Sequence, residues 1–322
     1  MKAMILAAGY GERLWPLTAD RTKPALPVLG KPLVGYVAEY LARFEIKDIV
    51  VNLHHRPESV RASLGNGSRF GVHLQYIHEP EILGTSGALD NAREFFAAET
   101  FVVINGKIIT DIDLNAAINR HQSTKALATL VLRRNASREN FSVVETRDGL
   151  VTRFGGMPAS PNSEPLMFTG IQILEPRIFD YIPRGVFSHS TTEVYPRAIA
   201  EGERIAAQIS EGMWHELSTL QRYLDISLAL LRVQDRDVEI GSNCHVDGSA
   251  DVRESVLWNN VTVEKDARLR RSIVGDGVQI GAGQSVENKV VVRADLVEGS
   301  AIPKKALPGR VEGENFVVRL SQ

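Results

Sequence analysis

Residues Leu6–Pro32 read LAAGYGERLWPLTADRTKPALPVLGKP, and the order of textures inside this stretch decides the fold. An apolar run that starts at Lys2 ends in Gly9-Tyr10-Gly11. Glycine has no Cβ, so backbone N–H groups at such a turn can approach an anion closely. Arg13 and Lys23 then supply charges suited to phosphates, Arg as a bidentate fork and Lys as a point charge. Two familiar phosphate loops fail on spacing. A dinucleotide-binding turn needs a third Gly where Leu14 stands, and a Walker A loop needs Gly-Lys-Ser/Thr. A glycine-rich turn alone is more often just a tight turn; the full stretch, with prolines paired around Lys23, is far more specific.

Outward from this stretch, strand-like and helix-like segments alternate through the first two-thirds of the chain. "LVGYVAEYLARFEI" has helical spacing through Val34, Val37, Tyr40, Leu41 and Phe44. "DIVVNL", "HLQYIHE" and "FVVING" read as strands, with "SVRASLGNGSRFG" and "GALDNAREFF" as helices between them. This pattern predicts an α/β domain with a mostly parallel mixed sheet and a ligand at the carboxyl ends of the strands. The expected limits are residues 1–219 for this domain and 220–236 for a connecting helix. Residues 237–300 are expected to form a second domain and 301–322 a tail, read as a solvated return segment with a small basic cluster.

In the second domain the texture changes. Val274, Ile280, Val286 and Val292 are spaced by a fixed hexad, as are Ile240, Val246 and Val252. A longer offset overlies it: Val261 and Val278, Val263 and Ile280, Leu269 and Val286 are equivalent pairs. Two nested periods with Gly, Asn and Asp at the corners predict a parallel β-helix whose coils bury their branched residues inward. Composition fits this division. With 322 residues, 43% apolar and 24% charged, the chain can bury two cores. A net charge of −2 gives no global field for nucleic acid or an anionic membrane. The single cysteine, Cys244, excludes an intrachain disulfide framework and a thiolate zinc cluster. No apolar run approaches the ~20 residues needed to span a bilayer, and no cleavage-site pattern follows the first apolar run. A cytoplasmic protein is expected.

The Leu6–Pro32 stretch resembles the signature of the sugar-1-phosphate nucleotidyltransferases, which make NDP-sugars from an NTP and a sugar 1-phosphate. The resemblance covers nearly the whole chain, continuing through "LGNGSRFGVHLQYIHEPEILGTSGAL", "MFTGIQIL", "TTEVYPRAIAEG" and "WHELSTLQRYL". The C-terminal repeat is similar to the left-handed β-helix of the mannose-1-phosphate guanylyltransferase branch, although glucose-1-phosphate enzymes can carry such a domain too. The resemblance implies a Rossmann-like nucleotidyltransferase domain, with Leu6, Ala7, Ala8 and Gly9 lining the base and ribose pocket. Gly11, Arg13 and Lys23 would hold the triphosphate. Gly84, Thr85 and Gly87 would recognise the base, Asn105 and Gly106 would belong to the nucleotide site, and Gly170 and Glu193 would lie near the sugar. It further implies Mg²⁺ bridging the phosphates, and a homo-oligomer assembled through the β-helix.

Departures from the family pattern gather at the same site. In "VVINGKIITDIDL", Val102–Leu114, the metal-binding Asp of the family's Asn-Gly-Asp is Lys107. The first loop has Glu12 in place of a small hydroxyl residue. Ser142 stands for a Gly, Gly156-Met157-Pro158 for a Glu-Lys-Pro, and Glu216 for a second metal-binding Asp. Glu216 keeps its charge on a longer arm and can still bind metal; Lys107 cannot. One pair of unit charges near 4 Å is worth ~4 kcal/mol at an effective dielectric of 20, so Lys107 would repel a divalent ion in the usual place. Three readings remain. Lys107 contacts the α-phosphate directly, or Mg²⁺ shifts toward Asp111, Asp113 or Glu216, or the chemistry is lost while nucleotide-sugar binding and a regulatory role remain. Asp111 and Asp113 are more often caps or surface charges than ligands. His54-His55 point to opposite faces of a strand and would not share an ion, and Trp214 and Trp258 are expected to be packing residues.

Overall fold

The structure, a computed structural model, describes residues 1–96, 99–136, 139, 141–155 and 165–320. It divides into two compact units. The first comprises Met1–Gly9, Val34–Pro57 and Leu64–Trp214; the second comprises Tyr10–Leu33, Glu58–Ser63 and His215–Gln322. Among the described residues no helix is long and apolar enough to cross a membrane.

The first unit is built on a nine-stranded mixed sheet. Its strands are β1 (Lys2–Leu6), β2 (Asp48–Leu53), β3 (His73–His78), β4 (Phe101–Asn105), β5 (Ala128–Arg134), β6 (Val143–Arg147), β7 (Leu150–Phe154), β8 (Leu166–Leu174) and β9 (Ile205–Ile209). They lie in the order β3-β2-β1-β4-β8-β5-β9-β7-β6. The ladder β3-β2-β1-β4 is parallel, in register from Ala3 against Ile49 and Val102. Its middle strands are nearly continuous apolar runs because residues on both faces are buried, which leaves no side for polar residues. β8 then enters antiparallel between β4 and β5.

The helices are α1 (Leu33–Arg43), α2 (Pro57–Leu64), α3 (Gly84–Asn91), α4 (Arg93–Phe96), α5 (Leu114–Thr124), α6 (Tyr195–Ala200) and α7 (Leu220–Arg232). α1 forms where the sequence places Val34, Val37, Ala38 and Leu41 on one stripe, all fully buried or nearly so. At its end Glu45 takes a left-handed φ of 58°, which stops the helix. α5 starts on Asp113, whose carboxylate accepts the Asn115 N–H at 3.0 Å.

In the second unit the coils of a parallel β-helix stack at a strict offset of 17 residues, seen where Val238 pairs Ser255, His245 pairs Thr262 and Asp251 pairs Arg268. Each turn passes through three parallel sheets. Leu257, Val263, Leu269, Val274, Ile280 and Val286 fill the interior, as the nested periods predict. Corners recur in register: Asn243, Asn260 and Gly277 all take left-handed φ angles, which Asn and Gly accept at low cost. Ile240 keeps the hexad but stays exposed, because it stands on the first coil with no coil beyond it. The tail differs from the expectation of a solvated segment. Asn315–Arg319 pairs antiparallel with Lys289–Arg293 and buries Phe316, Val317 and Val318. An open last coil would present unpaired N–H and C=O groups, and this strand covers them.

Candidate active site

In the first unit the carboxyl ends of β1, β2 and β4 lie side by side, the position where an open α/β sheet binds ligands. The chain leaves β1 at Leu6, and Ala7 and Ala8 stay buried while Gly9 faces open space. Gly106, just past β4, donates its N–H to the Leu6 carbonyl at 2.9 Å. A Cβ on Gly106 would fall 2.9 Å from that oxygen, so only glycine lets the two strand ends meet so closely. Lys107 is the next residue, half-buried, in the turn before Ile108. Gly170, on β8, has φ 84°, and a Cβ there would sit 2.2 Å from the Asn105 Nδ2. The glycine thus makes room for the Asn105 side chain.

A buried relay that sequence reasoning missed joins these strand ends to the Gly84 loop. Asn52, at the end of β2, accepts the Ala7 N–H at 2.8 Å and donates through Nδ2 to Glu79 Oε1 at 2.6 Å. The other oxygen of Glu79 accepts the Leu83 N–H at 3.1 Å, and its carbonyl bonds the His54 ring at 2.8 Å. Glu79 is completely buried; burial holds its carboxyl above the usual range, although the bonds from Asn52 and Leu83 favour the charged form. The available signal was an acid directly ahead of Pro80 and the Leu-Gly-Thr motif, next to a strand that closes on Asn52-Leu53.

The Gly84 loop opens α3 and packs on the Val186–Ser190 segment. A Cβ on Gly84 would meet the Ser188 carbonyl at 2.4 Å, and one on Gly87 the Val186 carbonyl at 2.5 Å. The Thr85 N–H donates to His189 Nδ1 at 3.3 Å, and its hydroxyl accepts the Ser190 N–H at 2.9 Å. Both glycines therefore have a packing role in this loop, independent of any ligand. Glu193 accepts the His189 N–H at 3.0 Å, which draws it into the same cluster.

The two acids after Lys107 do local structural work. Asp111 accepts the Met213 N–H at 2.6 Å, and Asp113 caps α5. Among the described residues, no three or more His, Cys, Asp or Glu side chains group as metal ligands do. With an ammonium at the strand end and both neighbouring carboxylates engaged by backbone, these residues do not fit a resident Mg²⁺. His54 is tied to the Glu79 carbonyl and Trp214 donates to the Thr169 carbonyl at 3.0 Å, the packing role expected for it. Ser142 is exposed. Gly156, Met157 and Pro158 lie outside the described residues.

Gly11, Arg13, Lys23 and Glu216 belong to the second unit. Gly11 has φ 73° and precedes a short 3-10 turn, Glu12–Leu14. A Cβ on it would fall 3.0 Å from the Lys23 Cβ, so the two ends of the loop touch. Arg13 is exposed. Glu216 is buried, and its carbonyl accepts from the Arg222 guanidinium at 2.9 Å.

A strand-end cradle of glycines, a basic loop beside a β-helix, and this order of elements define a nucleotidyltransferase with a hexapeptide-repeat domain. The family model described as "Nucleotidyl transferase" matches residues 2–233, and that described as "GlmU-like, C-terminal hexapeptide" matches 232–302. This chain belongs to the nucleotidyl transferase family, in its sugar-1-phosphate branch. It is 29% identical to a UTP–glucose-1-phosphate uridylyltransferase of Synechocystis sp., over 94% of this chain and 82% of that one. It is 27% identical to a mannose-1-phosphate guanylyltransferase of Mycobacterium tuberculosis, over 93% and 82%. A solved chain from Bacillus anthracis, provisionally named a glucose-1-phosphate thymidylyltransferase, superposes with a TM-score of 0.64 at 26% identity, covering 72% of this chain and 95% of that one.

Proposed function

We propose that this chain condenses an NTP with a sugar 1-phosphate to give an NDP-sugar and pyrophosphate, with GTP and mannose 1-phosphate the first pair to test. The observation that carries this reading is the Gly106–Leu6 bond, with Lys107 directly after it at the carboxyl ends of β1 and β4. A phosphate oxygen of the sugar phosphate attacks the α-phosphorus in line. The new P–O bond forms as the bond to the pyrophosphate oxygen breaks, and no proton needs to be abstracted from an ionised phosphate. The work of the protein is then orientation and charge neutralisation. Lys107 neutralises the α-phosphate, Arg13 and Lys23 hold the β- and γ-phosphates, and Gly11 supplies backbone N–H. Leu6 to Gly9, Asn105 and the Gly84-Thr85-Gly87 loop frame the nucleoside, while Gly170 and Glu193 face the sugar. Magnesium enters as the counter-ion of the triphosphate substrate and not as a resident ion.

The relatives carry uridylyl, guanylyl and thymidylyl names, so the base is decided by pocket shape. Pyrophosphate release over a matrix of four NTPs and several hexose 1-phosphates, with the product mass read in each positive well, tests the reading. One pair should stand well above the rest. Lys107 also favours a second reading, a regulatory homologue that binds NDP-sugar without turnover. Tight NDP-sugar binding with every well silent would select it. The β-helix is proposed to assemble a homo-oligomer, which light scattering on the eluted protein measures.

A further inference from the structure

The stretch that carries Gly11, Arg13 and Lys23 is part of the same compact unit as the β-helix, and one side chain ties them together. Arg21 lies two residues before Lys23. Its Nε and Nη2 donate to the two oxygens of Asp20 at 2.8 Å each, and Nη2 also donates to Asp276 Oδ2 at 2.7 Å. The guanidinium carbon sits 5.0 Å from the centre of the Trp258 ring. Asp276 is itself fixed, because its other oxygen accepts the Asn259 N–H of the neighbouring coil at 2.9 Å. Trp258 is buried and donates to the Tyr223 hydroxyl at 2.8 Å, and that hydroxyl donates to the Pro27 carbonyl. The loop is thus gripped on both sides of Lys23, at Arg21 and at Pro27. Because Gly11 lies against the Lys23 Cβ, fixing Lys23 also fixes the turn at Gly11. Burial works against the Arg21 charge, yet Asp20 and Asp276 outweigh it and hold the guanidinium above its ordinary range.

We propose that Arg21, Asp276 and Trp258 are positioning residues for the phosphate loop, so that the β-helix takes part in nucleotide binding as well as assembly. The functional half of this proposal rests on the nucleotidyl-transfer reading; the anchoring half does not. Asp276→Asn keeps an acceptor for the Asn259 N–H and removes the charge that Arg21 uses. Arg21→Gln removes the other partner. Arg253→Ala, at an exposed β-helix arginine paired with Asp251, is the control.

Hydrogen exchange on the nucleotide-free full chain reads the anchor directly. Residues 10–33 should exchange about fivefold faster in both variants, with the β-helix core unchanged, as for a lost charge-assisted bond of about 1 kcal/mol. The KM for the NTP should rise by a similar factor while the KM for the sugar phosphate stays put. The double variant should be no worse than the poorer single variant. Unchanged exchange in both single variants would overturn the proposal, as would faster exchange with an unmoved KM for the NTP. If the natural chain turns over no NTP, the nucleotidyl-transfer reading fails. The exchange comparison still decides the anchor, faster exchange upholding it and unchanged exchange overturning it.

Discussion

Asn52 and Glu79 give the sharpest result at the scale of single residues. Both partners of the Glu79 carboxylate, Asn52 Nδ2 and the Leu83 N–H, are donors, so two acceptors are required. Glu79→Gln turns one acceptor into a donor that faces a donor, at a fully buried position. Leaving a buried group unsatisfied costs ~1–3 kcal/mol. Urea unfolding of the variant should show a loss of that size; an unchanged midpoint would mean the relay holds nothing. The relay was hard to find in the sequence because Asn52 and Glu79 are far apart along the chain and neither stands in a phosphate-binding motif. The glycines were easier to notice and harder to interpret. Gly84 and Gly87 stand out in "LGTSGAL", yet the contact that requires them is with the backbone of Val186–Ser188, which nothing local encodes. The Asp111 and Asp113 carboxylates followed the commoner pattern for such acids, holding backbone N–H groups.

Among the elements, α5 is pinned to the sheet by His121, which is almost fully buried. Its Nδ1 pairs with the Thr129 hydroxyl on β5 and its Nε2 with Glu175 beyond β8, at 2.9 Å each. Burial lowers its pKa, with Glu175 opposing. The native state therefore binds this proton less readily than the unfolded chain, whose histidine titrates near ~6.5. Stability from this group is complete above that value and is lost as pH falls through it toward the lowered native value. The melting temperature of the natural chain should drop from pH 7.5 to 5.5 more steeply than that of His121→Gln. Parallel slopes would remove His121 as the cause. β1 and β4 were legible because residues on both faces of the sheet are buried there, which makes them nearly continuous apolar words. The coils of the β-helix were legible for the opposite reason, since a 17-residue rung repeats its branched residues and its Asn or Gly corners in register. The strand Asn315–Arg319 was not, because it caps the stack and so stands outside the repeat.

For the whole molecule, the closing strand and the strand-end chemistry make separable claims. Val318 is fully buried against the last coil. Val318→Asp should expose that coil's edge, with lost exchange protection at Lys289–Arg293 and a cost of several kcal/mol for an unpaired buried charge. Retained protection would show that the stack does not need its cap. Lys107 is the cation at the β4 end, where the resemblance to the family implies a metal-binding acid. Replacing it with Asp changes the local charge by two units, large enough to move the reaction's dependence on the divalent ion. The most direct measurement is the initial rate of pyrophosphate release against Mg²⁺ concentration, for the natural chain and for Lys107→Asp, on the best NTP and sugar 1-phosphate pair. The natural chain should turn over, and Lys107→Asp should be slower by at least about tenfold at low Mg²⁺ and recover only as the ion is raised. A natural chain silent at every Mg²⁺ concentration, with activity appearing in Lys107→Asp, would exclude this role for Lys107.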